Sequence, residues 1–184
     1  MIRIKVCGLG SIDQVDWAIE LGYDAIGVVV TPRSKRFCDH PTALSLAQYA
    51  KGKIETFAVA YTLEEVGSLY EHFDTIQLYS TASISKLAYS SSEPPPESLN
   101  CKYFFYDASI GSGIYKTIPG WVRSVRHPLY IAGGLSEENV SEVIDTFRPF
   151  GVDVSSAVET APLMKCKNKM ARFIAAARNP SQEI

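Results

Sequence analysis

Apolar residues along this chain follow two alternating periods. Ile2-Arg3-Ile4-Lys5-Val6 repeats every second residue, the pattern of a strand with one buried face, and it delivers Cys7 and Gly8 at its end. Residues 11–21 follow at helical spacing. Val15, Ala18 and Ile19 share a face, Ser11 and Gln14 have the spacing of a capping box, and Gly22 suits a helix stop. Residues 25–30 are apolar almost throughout, as expected of a strand buried on both faces.

The unit of strand, polar loop and helix then recurs. Strands are predicted over 55–60, 75–78, 102–106, 128–132 and 152–154. Helices are predicted to open at Pro41-Thr42 and at Thr62, where Glu65 completes a second capping box, and to span 136–147 and 163–177. A further strand falls at Leu87-Ala88-Tyr89, inside a serine-rich stretch that carries Pro94-Pro95-Pro96 and is thereby barred from a helix interior. Such alternation implies an α/β protein with parallel strands covered by helices. A doubly wound open sheet and a closed (β/α)8 TIM barrel both satisfy it. In a barrel the unit around residues 80–101 is shortened, with one or two helices replaced by loop, because 184 residues is below the usual range of roughly 200 or more.

Composition narrows the classes. At 46% hydrophobic and 21% charged, the chain suits one well-cored domain over 1–184. A net charge of -2 gives no basic field for nucleic acid or an anionic membrane. No apolar run approaches the ~18 residues of a membrane span. Met1 leads straight into a strand, leaving no room for a signal peptide, so the expected location is cytoplasmic. The four cysteines match no CxxC or zinc spacing and are expected as reduced thiols.

Candidate chemistry lies where strands end, since in both architectures function gathers at the C-terminal ends of strands. Gly133-Gly134 before Ser136 lets backbone amides approach an anion, and Ser155-Ser156 ends the last strand with further donors. A tight turn with a serine cap accounts for the glycine pair alone; the two motifs in successive units favour phosphate. Asp107 closes the aromatic run 103–106 and is a candidate general acid, or else a loop-initiating cap. Gly111 and Gly113 lie just beyond it. Cys7 is either a small buried hydrophobe or a base, and a base needs thiolate character, for which Arg36 is a candidate cation. Lys165, Lys167 and Lys169 are expected on a solvated helix face. His40, His72 and His127 neither end strands nor pair at ligand spacing, so no metal site is expected.

Taken together, these residues resemble the phosphoribosylanthranilate isomerases of tryptophan biosynthesis, nearly end to end. The segments that carry the resemblance are Lys5-Val6-Cys7-Gly8-Leu9, Asp24-Ala25-Ile26-Gly27, Ser34-Lys35-Arg36 and Gln77-Leu78, then Tyr106-Asp107 with Gly111-Ser112-Gly113, Ala132-Gly133-Gly134-Leu135, and Gly151-Val152-Asp153-Val154-Ser155-Ser156. The resemblance implies a (β/α)8 barrel, monomeric or homodimeric, acting on a phosphorylated sugar by an Amadori rearrangement without a cofactor. It implies Cys7 and Asp107 as the catalytic base and acid. It assigns Arg36 to the anthranilate end, and Gln77, Gly111, Gly113, Gly133, Gly134, Ser155, Ser156 and Ala157 to substrate binding. The chain departs from the family pattern at Tyr79-Ser80, where Gln-Leu is usually followed by His-Gly. It departs again at Ala157, where a glycine is usual, and at Leu163-Met164-Lys165-Cys166. These departures keep two other readings open: a non-catalytic barrel that binds a phosphorylated ligand or a partner protein, and an isomerase of a related aminated sugar phosphate.

Overall fold

A computed structural model describes residues 1–109 and 113–178. Eight parallel strands close into a barrel in sequential order: β1 (Arg3–Cys7), β2 (Ala25–Val29), β3 (Glu55–Ala60), β4 (Thr75–Leu78), β5 (Leu87–Ser91), β6 (Tyr103–Asp107), β7 (Leu129–Ala132) and β8 (Gly151–Val154). β8 returns to β1, with Lys5 opposite Asp153. An antiparallel hairpin, β9 (Glu159–Ala161) and β10 (Met164–Lys165), follows the last barrel strand.

The helical cover is α1 (Ile12–Leu21), α2 (His40–Ala50), the short α3 (Leu63–Val66), α4 (Val140–Phe147) and α5 (Lys167–Arg178). Asp39 caps α2 by accepting from the Thr42 amide at 2.9 Å. Gly22 ends α1 in the left-handed region at φ 81, as its sequence position predicts. The predicted box forms at α3, where Glu65 accepts from the amides of Tyr61 and Thr62. It does not form at α1. There Gln14 accepts from the Gly10 amide and donates to the Leu163 carbonyl at 2.7 Å, so a tertiary contact has claimed the side chain.

Two further predictions are corrected, and a third holds. The helix expected from 136 starts at Val140, because Asn139 folds 136–139 into a turn, accepting from the Ser136 amide and donating to Gly134. The helix expected from 163 starts at Lys167, because Leu163 turns the hairpin at φ 65. The eighth strand is present as β5, although residues 79–86 and 92–102 on either side form no α-helix. Between β6 and β7 a 3-10 turn, Gly120–Ser124, supplies Trp121, whose ring lies 5.6 Å from that of Tyr106. Side-chain packing thus covers the sector that lacks helices.

Both faces of the barrel strands are largely buried, with Tyr89 and Ser91 of β5 only half-buried. Outward residues such as Ile4, Val6, Ile26, Val28, Ile131 and Val152 join the helices in one core. The basic residues of β1 point the other way, so its alternation does not mark a solvent face. Lys5 is fully buried inside the barrel, paired to Asp153 with both oxygens at 3.0 Å. Beneath it Arg3 pairs with Glu55 at 2.6 Å and closes the N-terminal end. The middle layer is aromatic: Phe105 stacks on Tyr130 at 4.5 Å, and Phe57 packs against both.

Gly151 makes room for that stack, since a Cβ there would come within 2.3 Å of the fully buried Tyr130 ring. Gly151→Ala is therefore expected to destabilise the barrel by about 1–3 kcal/mol, the usual range for overpacking a tight core. Urea denaturation of the two proteins checks this.

Candidate active site

The C-terminal ends of the strands form the mouth of the barrel. A cavity of about 110 Å³ opens there, lined among others by Cys7, Arg36, Gln77, Tyr79, Asp107 and Asp153. Cys7 ends β1 with its side chain inward. Burial pushes its thiol up; Lys5 and Lys165 act against that, and Asp153 adds to it. The cations that favour its thiolate are therefore Lys5 and Lys165. Arg36, the cation expected from sequence, has another partner.

Asp107 ends β6. One carboxylate oxygen accepts from the Ser109 amide at 3.0 Å and the Ser109 hydroxyl at 2.8 Å, and the other accepts from the Tyr79 hydroxyl at 2.7 Å. Burial, then the Asp107 charge, pushes the Tyr79 hydroxyl well above its ordinary range, so it is a donor at any working pH. Tyr79 in turn packs against Tyr61, with ring centroids 5.3 Å apart. Gln77 donates to the Ser90 hydroxyl at 3.0 Å, and its buried carbonyl oxygen has no hydrogen-bond partner among the described residues.

Arg36 is buried and binds Glu159 through Nε, at 2.9 Å from both oxygens, and through Nη2 at 2.7 Å. Lys165 shares the same carboxylate at 2.7 Å and also donates to Ser155. Its expected place on a solvated helix face is overturned. The hairpin turn at Leu163 carries Lys165 inward on β10, where it is buried. Lys167 and Lys169 do lie on α5, although Lys169 donates to the Glu159 carbonyl at 2.8 Å.

Burial pushes the Glu159 carboxyl up, but hydrogen bonds from Arg36 and Lys165 more than reverse this and hold it below its ordinary 4.5. Its stabilising contribution is complete above that value and is lost as pH falls through the lowered folded-state value. Glu159→Gln leaves two buried cations without a carboxylate. We expect a loss of about 3 kcal/mol at neutral pH and a flatter acid limb of stability, measured by thermal unfolding across pH 3–7.

The opposite rim is built from turns. Gly133 and Gly134 have φ of 90 and 75, a region that disfavours other residues. A Cβ at Gly134 would meet the Tyr115 backbone amide at 2.1 Å, and one at Gly113 would meet the Ser156 hydroxyl at 2.5 Å. Residues 113–115 thus lie directly against both rim turns. Gly113, Gly133, Gly134, Ser155 and Ser156 all line the cavity. Ala157 does not; it sits in the 3-10 turn Ser156–Val158 and packs on the core. Gly111 lies outside the described residues. Among the described residues no group of His, Cys, Asp or Glu is arranged to hold a metal, and no helix is long and apolar enough to cross a membrane.

Sequence reasoning missed Lys5, Glu159 and Lys165 as parts of the site. Lys5 carries a local signal: two residues before Cys7 on a strand, it must share the inward face. Glu159 and Lys165 carry none, because their placement depends on a hairpin in a stretch that reads as helix.

A closed parallel barrel with an acid, a thiol and glycine turns converging on its C-terminal mouth defines a (β/α)8 barrel of the enzyme-bearing kind. Known proteins narrow the class. The profile of N-(5'phosphoribosyl)anthranilate (PRA) isomerase matches residues 104–176. The N-(5'-phosphoribosyl)anthranilate isomerase of Halorhodospira halophila is 32% identical over 200 residues, covering 94% of this chain and 95% of that protein. The crystal structure of TrpF from Jonesia denitrificans superposes with a TM-score of 0.81 at 30% identity, covering 97% of this chain and 98% of that one. A crystal structure of phosphoribosyl anthranilate isomerase in complex with reduced 1-(o-carboxyphenylamino)-1-deoxyribulose 5-phosphate gives 0.71 at 25% identity, with 97% and 100% covered. The chain belongs to the N-(5'-phosphoribosyl)anthranilate isomerase family.

Proposed function

We propose that this protein isomerises N-(5'-phosphoribosyl)anthranilate to 1-(o-carboxyphenylamino)-1-deoxyribulose 5-phosphate, in the cytoplasm and as a single barrel over 1–184. The observation that carries the reading is the convergence of Cys7 and Asp107 on one cavity whose rim is made of glycine turns and serine hydroxyls. Family membership supports the same reading, as does the reduced 1-(o-carboxyphenylamino)-1-deoxyribulose 5-phosphate bound in a solved phosphoribosyl anthranilate isomerase.

Asp107 gives a proton to the furanose ring oxygen. The bond from C1 to that oxygen breaks, and the nitrogen lone pair forms C1=N. The Cys7 thiolate then takes the proton from C2. The C–H pair becomes C1=C2 and the imine π pair returns to nitrogen, which is the electron sink, so the step needs no cofactor. The enol ketonises as its hydroxyl loses a proton and C1 gains one. Each acid–base role is typically worth ~10² to 10⁴ in rate. Arg36 and Gln77 face the anthranilate side. The backbone of Gly113, Gly133 and Gly134, with Ser155 and Ser156, takes the phosphate, using amides that converge in left-handed turns.

The test is turnover of phosphoribosylanthranilate at high substrate concentration, alongside complementation of a tryptophan auxotroph that lacks the isomerase. Saturable turnover and growth are expected. Soluble protein that gives neither rejects the reading and points to a binding role.

A further inference from the structure

Three features of the barrel interior meet at one place beneath the cavity. Lys5 and Cys7 leave the same strand on the same face, and the charge of the Lys5 ammonium favours the Cys7 thiolate against the effect of burial. Gly27, opposite Cys7 on β2, opens the space between them. The point where its Cβ would stand lies 2.8 Å from Cys7 Sγ and 3.0 Å from Lys5 Nζ. Asp153, opposite Lys5 on β8, anchors the ammonium from the far side with two bonds of 3.0 Å. The rings of Phe57 and Phe105, each centred 5.3 Å from Nζ, flank the ammonium.

We propose that Lys5 is the positioning residue for proton abstraction: fixed by Asp153, its ammonium is the counter-charge that stabilises the Cys7 thiolate. This rests on the isomerase reading only for its effect on turnover; the charge relation stands without it. A buried ammonium bonded to a carboxylate is a costly feature, and a structural pair has no need to reach a thiol as well. Burial pulls the Lys5 amine down, but Asp153 and the Cys7 sulfur more than restore it, so the amine is charged.

Other charged groups face the same thiol, and they are already committed. Lys165 and Arg36 share Glu159, and Tyr79 donates to Asp107. Lys165 assists the thiolate from the β10 side. Lys5 favours the thiolate more strongly than Lys165 does, and Asp153 opposes the thiolate from behind it. Removing each member of the pair must therefore move the thiol in opposite directions.

The experiment measures the rate at which iodoacetamide alkylates Cys7 across pH, with the site read by peptide mass spectrometry because Cys38, Cys101 and Cys166 are also free. Four full-length proteins are compared: wild type, Lys5→Met, Asp153→Asn and the double variant. The expected order of the alkylation midpoint, from lowest pH to highest, is Asp153→Asn, wild type, double variant, Lys5→Met. A shift of about one pH unit or more upward in Lys5→Met corresponds to a tenfold drop in thiolate below the midpoint. The double variant buries no unpaired charge, so it keeps the order testable if Lys5→Met fails to fold. The alkaline-going limb of kcat/KM should follow the same order. Midpoints that coincide, or that move together in the two single variants, overturn the proposal. An ordered set of midpoints in a protein without turnover overturns the isomerase reading and leaves this one standing.

Discussion

Cys7→Ala abolishes turnover of phosphoribosylanthranilate while the barrel stays folded. The side chain is buried at the end of β1 and lines the cavity, so its loss leaves only a small void at an already open site. Replacing sulfur by hydrogen removes the one group on that strand end able to accept the C2 proton. No other residue inherits the role: Lys5 is charged and bonded to Asp153, and the Ser155 hydroxyl already donates to the Cys7 carbonyl at 2.8 Å. The expected loss in kcat is at least ~10² to 10⁴, the scale of one general base, with KM changed little because substrate contacts lie on the rim. Steady-state kinetics beside thermal unfolding make the measurement. A variant within threefold of wild type would remove Cys7 from the mechanism.

Asp107→Asn is expected to cost as much by a different route. The amide preserves size, and its oxygen can still accept from the Ser109 amide and hydroxyl. Its nitrogen turns toward the Tyr79 oxygen, which can rotate to accept in place of donating. The local structure should hold, and Gly133, where a Cβ would come 2.7 Å from the carboxylate, still fits around it. What is lost is a proton that can leave. An amide cannot protonate the ring oxygen, so the furanose stays closed and kcat falls by about 10² to 10⁴. A substrate supplied already open should regain part of that loss in Asp107→Asn and none in Cys7→Ala. Equal behaviour of the two variants toward it would contradict the division of roles.

Much of the framework was legible in the chain. The strands at 55–60 and 75–78 were placed to the residue, because both are short, largely apolar runs with β-branched or aromatic residues, too short for a helix. β5 was only half legible, since its Leu-Ala-Tyr core lies among serines and its stability comes from pairing on both sides, with β4 and β6. Cys7, Asp107 and the glycine and serine pairs were legible as strand-end residues, and the resemblance gave them roles. The hairpin at 159–165 was not, because its apolar spacing matches a helix start and only Leu163 at positive φ breaks it.

By itself, the sequence determined the alternation of strands and helices, the residues that end the strands, and the family. These depend on periodicity, turn chemistry and motif order, which are local or linear properties of the chain. Only the tertiary structure decided which polar residues face inward, and with whom. Arg36 meets Glu159 across 123 residues, Lys5 meets Asp153 across 148, and Tyr79 meets Asp107 across 28. The reason is barrel closure, which brings the last strand against the first and makes the interior face of each strand a buried one. A basic residue that alternation alone assigns to solvent is there forced to find a carboxylate, and in this protein it finds the candidate base as well.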